Sequence, residues 1–120
     1  MRADELMIGD WVLDTFGNPI QVKELLEDGI NGEWDDAECD GVEAVYDDIK
    51  PIPIDEDILE KNGWKGGAGE NIRFNSPYIL VKKNDVWTMY CNVERIAEIR
   101  YVHELQNIMR MIGYQGGFKV

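Results

Sequence analysis

The stretch Ile49-Lys50-Pro51-Ile52-Pro53-Ile54-Asp55-Glu56-Asp57-Ile58 divides the chain into two parts of different character. Ile52 and Ile54 share a face, while each proline removes a backbone hydrogen-bond donor, so residues 49–54 predict an extended segment or an edge strand. Asp55 is a suitable N-cap, because its carboxylate can accept hydrogen bonds from the free N–H groups of a following helix. The stretch therefore predicts that a β-rich part ends at residue 54 and that a helix opens the next part.

Upstream of this stretch, short apolar segments alternate with turn-forming residues. Residues 8–14 and 20–25 flank the turn residues Phe16-Gly17-Asn18-Pro19, a pattern that predicts an antiparallel hairpin. A further short strand is predicted at residues 42–46. Several short strands within about fifty residues are typical of a small barrel, so we expect residues 1–54 to form an SH3-like β-barrel.

Downstream, the pattern predicts a helix, about three antiparallel strands and a second helix. The first helix follows Asp55 and ends at Gly63, and Asn84-Asp85 marks a hairpin turn between two strands. The predicted fold class is therefore α+β, with an α-β-β-β-α part at residues 55–120 that forms one compact unit with residues 1–54.

The second helix is predicted from helical spacing of apolar residues. Its apolar face comprises Val102, Leu105, Ile108, Met109 and Ile112. Its opposite face, which we expect to be half-exposed, carries His103, Gln106, Asn107 and Arg110.

Charge is distributed unevenly along the 120 residues, whose formal net charge is −12. Residues 1–60 hold 19 acidic and three basic residues, a net charge of −16, whereas residues 61–120 hold five acidic and nine basic residues, a net charge of +4. An acidic half repels phosphate, so direct nucleic-acid binding is not expected. The partner that this charge favours is a basic protein.

The sequence carries no signal for export or for a membrane. Its start, Met1-Arg2-Ala3-Asp4-Glu5-Leu6, is charged, and its longest apolar stretch, residues 78–81, is far shorter than the roughly 18 residues that a spanning helix needs. Cys39 and Cys91 form no CxxC pair, and isolated thiols suit a reducing compartment. We therefore expect a cytoplasmic protein that does not bind membranes.

A strongly acidic segment follows Trp34. Asp36, Glu38, Asp40 and Asp47 stand at positions 1, 3, 5 and 12 of the EF-hand calcium loop, where carboxylates converge on a hard cation. Glu38 is longer and Asp47 shorter than the usual ligand at its position, and the flanking sequence is not helical. A weak calcium site and a solvated acidic loop are the two interpretations, and no other cofactor is expected.

Trp34 borders this segment and is a candidate anchor for a partner. An exposed aromatic side chain beside a polar rim is a common feature of protein interfaces, and burial in the core is the alternative for this residue. The binding surface predicted from the sequence consists of Trp34, Asp35, Asp36, Glu38 and Asp40.

No catalytic residue is predicted. His103 is the single histidine, and no second histidine stands at the spacing of a zinc site. Neither Cys39 nor Cys91 has the sequence context of a nucleophile. The stretch Gly66-Gly67-Ala68-Gly69 lacks the Lys and Ser/Thr that complete a phosphate-binding loop, so it predicts a connector.

Three segments, in the same order, resemble a family of small acidic proteins from Bacteroidales and their phages. The segments are Ile8-Gly9-Asp10-Trp11-Val12, Ile49-Lys50-Pro51-Ile52-Pro53-Ile54 and Tyr101-Val102-His103-Glu104-Leu105-Gln106-Asn107. That family pattern has Asn, Tyr and Thr where this chain has Asp10, Trp11 and Asp55. The resemblance implies a bacterial or phage origin and carriage on mobile elements, and it brings no activity, cofactor or site residue with it.

Three hypotheses for function follow from these features. The leading one is a non-enzymatic module that binds a partner protein through the acidic and aromatic surface of the first half. The second is an acidic mimic of DNA that inhibits a nucleic-acid-binding protein. The third is a small enzyme or ligand-binding protein with a pocket between the two parts, which requires His103 or a carboxylate with a perturbed pKa.

Overall fold

The structure, a computed structural model, describes residues 1–34, 41–66, 71–114 and 117–120. Within these ranges the chain divides into two compact units. The first comprises Met1–Ile52 and Tyr101–Gln115, and the second comprises Pro53–Arg100 and Gly116–Val120. In its described part, each unit contains one antiparallel sheet and one α-helix, which confirms the α+β class.

The sheet of the first unit is strongly curled into a half-barrel. Its described strands are β1 (Trp11–Leu13), β2 (Pro19–Leu25), β3 (Gly29–Trp34), β4 (Val42–Val45) and β5 (Lys50–Pro51). Their order is β4-β3-β2-β1-β5, so β4 and β5 are the edges among the described strands. The β1–β2 hairpin and the edge position of Lys50–Pro51 are confirmed.

The core of the first unit lies on one face of this curled sheet. Along β2, Ile20 and Val22 are fully buried while Gln21 and Lys23 point away from the core, as the two-residue period of a strand requires. The buried cluster is completed by Leu6, Val12, Ile30 and Ile49.

Strand β3 has no strand signal in its sequence, because Gly29 and Gly32 resemble turn residues. Both glycines are required by close approach of neighbouring backbone. A Cβ at Gly29 would lie 2.1 Å from the Ala44 carbonyl oxygen, and one at Gly32 would lie 2.9 Å from that of Gln21. The glycines therefore allow β2, β3 and β4 to pack closely in the curled sheet.

Helix α2 (Val102–Met111) packs in the first unit and contacts β1. The Tyr101 N–H donates to Glu104 Oε1 at 3.0 Å at its start, and Gly113 follows it with a φ of +93°. The Val102 N–H donates to the Ile52 carbonyl at 2.8 Å. The chain thus re-enters the first unit beside the point at which it leaves it.

The second unit is a short helix followed by a meander. Asp55 Oδ1 accepts a hydrogen bond of 2.8 Å from the Ile58 N–H, which confirms the predicted cap of α1 (Glu56–Lys61). The described strands are β6 (Lys65–Gly66), β7 (Ile72–Asn75), β8 (Tyr78–Lys83), β9 (Val86–Cys91) and β10 (Glu94–Ile99). They form a sheet of five consecutive strands, where about three were predicted.

The buried apolar residues of the second unit include Leu59, Trp64, Leu80, Trp87, Met89 and Ile99. Asn84 and Asp85 adopt the left-handed conformation, with φ of 51° and 64°, as the predicted β8–β9 turn requires. No helix in the described residues is long and apolar enough to cross a membrane.

Candidate functional site

The first unit contains a cavity of about 720 Å³ along strand β4. It is bordered by the β1–β2 turn, by the β2–β3 turn and by strands β3 and β4. We call this cavity the β4 groove. Its size lies within the range of about 300–1,000 Å³ that is usual for ligand pockets, which is room for several amino-acid side chains.

The floor of the β4 groove continues the apolar core to the surface. Trp34 and Ala44 are partly buried and pack against the core that contains Ile30. Val42 lies two residues before Ala44 on the same strand, so its side chain shares that face. The floor is therefore apolar and half-exposed.

Three larger apolar side chains project from the rim. Phe16 in the β1–β2 turn is 87% exposed, Val45 at the end of β4 is 49% exposed, and Leu26 in the β2–β3 turn is also exposed. Exposed apolar side chains that gather around one cavity mark interaction surfaces more often than scattered ones do.

The rest of the rim is acidic. The exposed side chains of Glu27, Asp28, Glu43 and Asp48 border the groove, and no Lys or Arg lies among the described residues that line it. An apolar cavity ringed by carboxylates concentrates a negative potential, because its low-dielectric walls weaken screening. The groove is thus suited to a ligand that combines apolar and cationic groups.

Asp14 fixes the geometry of one wall. Its Oδ2 accepts a hydrogen bond of 3.0 Å from Trp34 Nε1, and its Oδ1 accepts bonds of 2.9 Å from the Phe16 and Asn18 N–H groups. Burial acts to raise the pKa of Asp14, but the hydrogen bonds from the Trp34 indole and from these backbone groups outweigh it, so the pKa lies below its ordinary value. The charged carboxylate therefore joins the turn that carries Phe16 to the Trp34 ring.

The residues predicted from the sequence are only partly covered by the structure. Trp34 lies in the floor of the β4 groove, half-buried, and its indole N–H donates a hydrogen bond to Asp14. The other predicted binding residues, Asp35, Asp36, Glu38 and Asp40, lie outside the described residues.

The calcium hypothesis stays a prediction for the same reason. Of its four ligands, Asp47 is described and lies exposed in the 3₁₀ turn Tyr46–Asp48, and the other three belong to residues 35–40. In the described part of the chain, no group of three or more His, Cys, Asp or Glu side chains is placed to hold a metal ion.

Phe16, Leu26, Glu43 and Val45 are groove residues that the sequence did not indicate. The available signal was Phe16, since a large aromatic residue is unusual inside a Gly-Asn-Pro turn. Val45 carries no comparable signal, because its exposure depends on the position of β4 at the edge of the sheet.

A second set of polar residues is buried where α2 meets the segment before β1. Asp10 is fully buried, with its Oδ1 2.7 Å from Arg110 Nη1 and its Oδ2 accepting a 2.8 Å bond from the Met7 N–H. Burial raises the pKa of Asp10, and the hydrogen bonds from Met7 and Arg110 oppose that rise. Arg110 is itself held by Asn107 Oδ1 at 2.6 Å.

The side chain of Gln106 binds backbone groups of the same segment before β1. Its Oε1 accepts a 2.8 Å hydrogen bond from the Trp11 N–H, and its Nε2 donates a 2.9 Å bond to the Gly9 carbonyl. The prediction that Gln106 lies on a half-exposed helix face is wrong, because these two bonds satisfy its amide in a buried position.

His103 is also buried, at 6% exposure, where the sequence predicted a half-exposed position. Its ring stacks on that of Tyr101 with centroids 6.0 Å apart, and its Nδ1 is buried without a hydrogen-bond partner among the described residues. Burial lowers the pKa of His103, while the charges of Asp10, Glu104 and Glu5 oppose that change. His103 is therefore a buried side chain of α2 whose ring contact is with Tyr101.

Cys91 is a free thiol, half-buried at the end of β9 in the second unit. Gln106 and Arg110 connect α2 to the segment before β1 through hydrogen bonds with Gly9, Asp10 and Trp11. No family model matches the chain, and neither a curated protein nor a solved structure gives a significant match.

Proposed function

We propose that the protein is a non-enzymatic interaction module whose β4 groove binds a segment of a partner protein rich in apolar and basic side chains. The observation that carries this proposal is the combination of a half-exposed apolar floor with a rim of carboxylates that includes Glu43 and Asp48. Apolar side chains of the partner would fill the floor, and Lys or Arg at the rim would neutralise these carboxylates. Burial of apolar groups supplies affinity, while the charges supply orientation and a fast encounter.

The same proposal takes the curled sheet as an SH3-like barrel. The strand order β4-β3-β2-β1-β5 supports this assignment, as does the 3₁₀ turn Tyr46–Asp48, which connects β4 to β5 along the chain. Small barrels of that kind use the loops around one side of the sheet to bind peptides. The free thiol of Cys91 is in keeping with a reducing cytoplasm as the place of binding.

Mimicry of DNA is the alternative that the acidic first half leaves open. A mimic needs regularly spaced carboxylates on a polar surface, because phosphates are what its target recognises. Phe16 and Val45 place large exposed apolar groups among the carboxylates of the groove, which favours a peptide ligand.

The test is a selection of short random peptides displayed on phage, with the purified protein as bait. We expect the enriched sequences to combine Lys or Arg with Val, Ile, Leu or aromatic residues. Glu43→Lys and Phe16→Ser should each abolish the enrichment. The matched controls Glu94→Lys and Val93→Ser change equally exposed residues of the second unit and should leave it unchanged.

Three outcomes would contradict the proposal: no enriched peptide, enrichment of acidic or purely polar sequences, and equal enrichment on Glu43→Lys. Competition by a short DNA duplex distinguishes the alternative. DNA does not displace a peptide from an acidic groove, whereas a mimic's basic target protein is released by DNA.

A further inference from the structure

In the part of the chain that the structure describes, strand β4 has an open edge beside the groove. Among the described strands, β4 pairs with β3 alone. One hydrogen bond just after the end of β4 shows which of its backbone groups face β3. In this bond the Tyr46 N–H donates to the Asp28 carbonyl at 3.2 Å. Tyr46 and Asp28 stand opposite each other in the register, so they form a hydrogen-bonded pair of the antiparallel ladder.

Hydrogen-bonded and non-hydrogen-bonded pairs alternate along an antiparallel ladder. Counting back from Tyr46, the pairs of Ala44 and Val42 with β3 are hydrogen-bonded, and those of Val45 and Glu43 are not. The backbone N–H and C=O groups of Glu43 and the N–H of Val45 therefore point away from β3 toward the open edge, while the C=O of Val45, as the N-cap, belongs to the 3₁₀ turn Tyr46–Asp48. Two donors and one acceptor are presented along the groove.

The side chains of β4 alternate between the groove floor and the opposite side of the strand. Val42 and Ala44 face the groove floor, while the exposed side chains of Glu43 and Val45 alternate to the other side of the strand and line the groove only at its rim. A strand laid along this edge would continue the sheet, and every second side chain of that strand would enter the groove.

We propose that the partner segment binds as an added β-strand on the edge of β4, with apolar residues at alternate positions over the groove and a Lys or Arg opposite Glu43. This inference rests on the proposed function and names the conformation and residue pattern of its ligand. The backbone of the partner pairs with Glu43 and Val45, and its apolar side chains cover Trp34, Val42 and Ala44. The cross-strand pair with Glu43 fixes the register.

Charge complementarity selects this occupant over a second copy of the chain. Pairing of β4 with β4 of another copy would bring two Glu43 side chains and two acidic rims together, and each chain carries a net charge of −12. A helix in the groove would fill the floor but leave the outward N–H groups of Glu43 and Val45 buried without acceptors, which is unfavourable.

The substitution Val45→Pro tests the added strand on the protein side. Val45 has φ −77° and ψ 152°, which proline adopts without strain, and its N–H is not part of the β3–β4 ladder. The variant therefore removes one edge donor and leaves the fold intact. Val45→Ala is the matched control, because it shortens the same side chain and keeps the N–H.

The probe is the peptide most enriched in the phage selection, resynthesised with a fluorescent label, and the readout is its Kd by anisotropy. We expect Val45→Pro to raise the Kd about tenfold, because a peptide carbonyl loses its donor at a dry interface, and Val45→Ala to raise it less than about threefold. An unchanged Kd for Val45→Pro, with the circular dichroism of the wild type, would overturn the added strand and leave the groove proposal intact.

An N-methyl scan of the same peptide tests the inference without any change to the protein. Binding should be lost at every second position, because only alternate N–H groups of a strand face β4. Loss without this two-residue period, or none at all, would overturn the inference. A phage selection that yields no peptide overturns both proposals. If the protein sediments as a dimer and the Val45→Pro variant sediments as a monomer, the occupant of the β4 edge is a second copy of the chain, which overturns the inference of a partner peptide.

Discussion

Replacing Gln106 by alanine should destabilise the first unit by about 3 kcal/mol, because one buried and one partly buried hydrogen bond are lost at once. The 2.8 Å bond from the Trp11 N–H and the 2.9 Å bond to the Gly9 carbonyl each contribute about 1 kcal/mol. Removal of the side chain also takes from the buried Trp11 amide the acceptor that Gln106 supplies, at a cost of about 1 kcal/mol or more. The Gly9 carbonyl is less affected, since Gln21 Nε2 also donates to it at 3.1 Å.

The assay is urea denaturation followed by far-ultraviolet circular dichroism, with amide hydrogen exchange at Trp11 to localise the change. Gln21→Ala is the control: it removes the other bond to the Gly9 carbonyl from a partly exposed residue, and we expect it to cost less than about 1 kcal/mol. A loss below about 1 kcal/mol for Gln106→Ala, or equal losses for the two variants, would refute the role assigned to Gln106.

Two further predictions concern groups with a defined electrostatic environment. Because burial lowers the pKa of His103, the unfolded chain takes up a proton near pH 6.5 that the folded chain does not, so the free energy of unfolding should fall as the pH drops below about 6.5. Urea midpoints between about pH 7.5 and pH 5.5 should move less in His103→Gln than in the wild type, and equal movement would contradict the lowered pKa. At the start of α1, Asp55→Ala should cost about 1 kcal/mol of the second unit's stability in thermal unfolding, whereas Asp57→Ala, at the second position of the helix, should cost less; a neutral Asp55→Ala would show that the 2.8 Å cap bond contributes nothing.

Local patterns in the sequence predicted those elements whose stability depends on near neighbours. The cap at Asp55, the Asn84-Asp85 turn and the helical spacing from Val102 to Met109 each involve residues within one turn of each other. Such interactions can be read from spacing alone.

The elements that the sequence did not predict depend on distant partners. Gly29 and Gly32 belong to a strand because the Ala44 and Gln21 carbonyls approach them closely. Gln106 is buried because a backbone segment some 95 residues earlier supplies its hydrogen-bond partners. The spacing of apolar residues in a helix places a polar residue such as Gln106 on the solvent face, because this spacing does not report hydrogen-bond partners in another element.

The groove could not be predicted for a related reason. Phe16, Leu26 and Val45 come from three turns or strand ends, and nothing in any one of these segments indicates that the three side chains lie around one cavity. Trp34 was the one groove residue that the sequence indicated, through its place beside the acidic segment. An apolar cluster assembled across a curled sheet becomes visible only when strand order and register are known.

The return of the chain beside Ile52 makes the first unit a host and residues 53–100 an insertion within it. The Val102 N–H and the Ile52 carbonyl are 2.8 Å apart, so the two ends of the host that flank the insertion already lie together. Insertions at such points impose little loop-closure strain on the host, whatever their length. During synthesis, the strands of the second unit also leave the ribosome before α2, so the first unit obtains its helix only after those strands have been made.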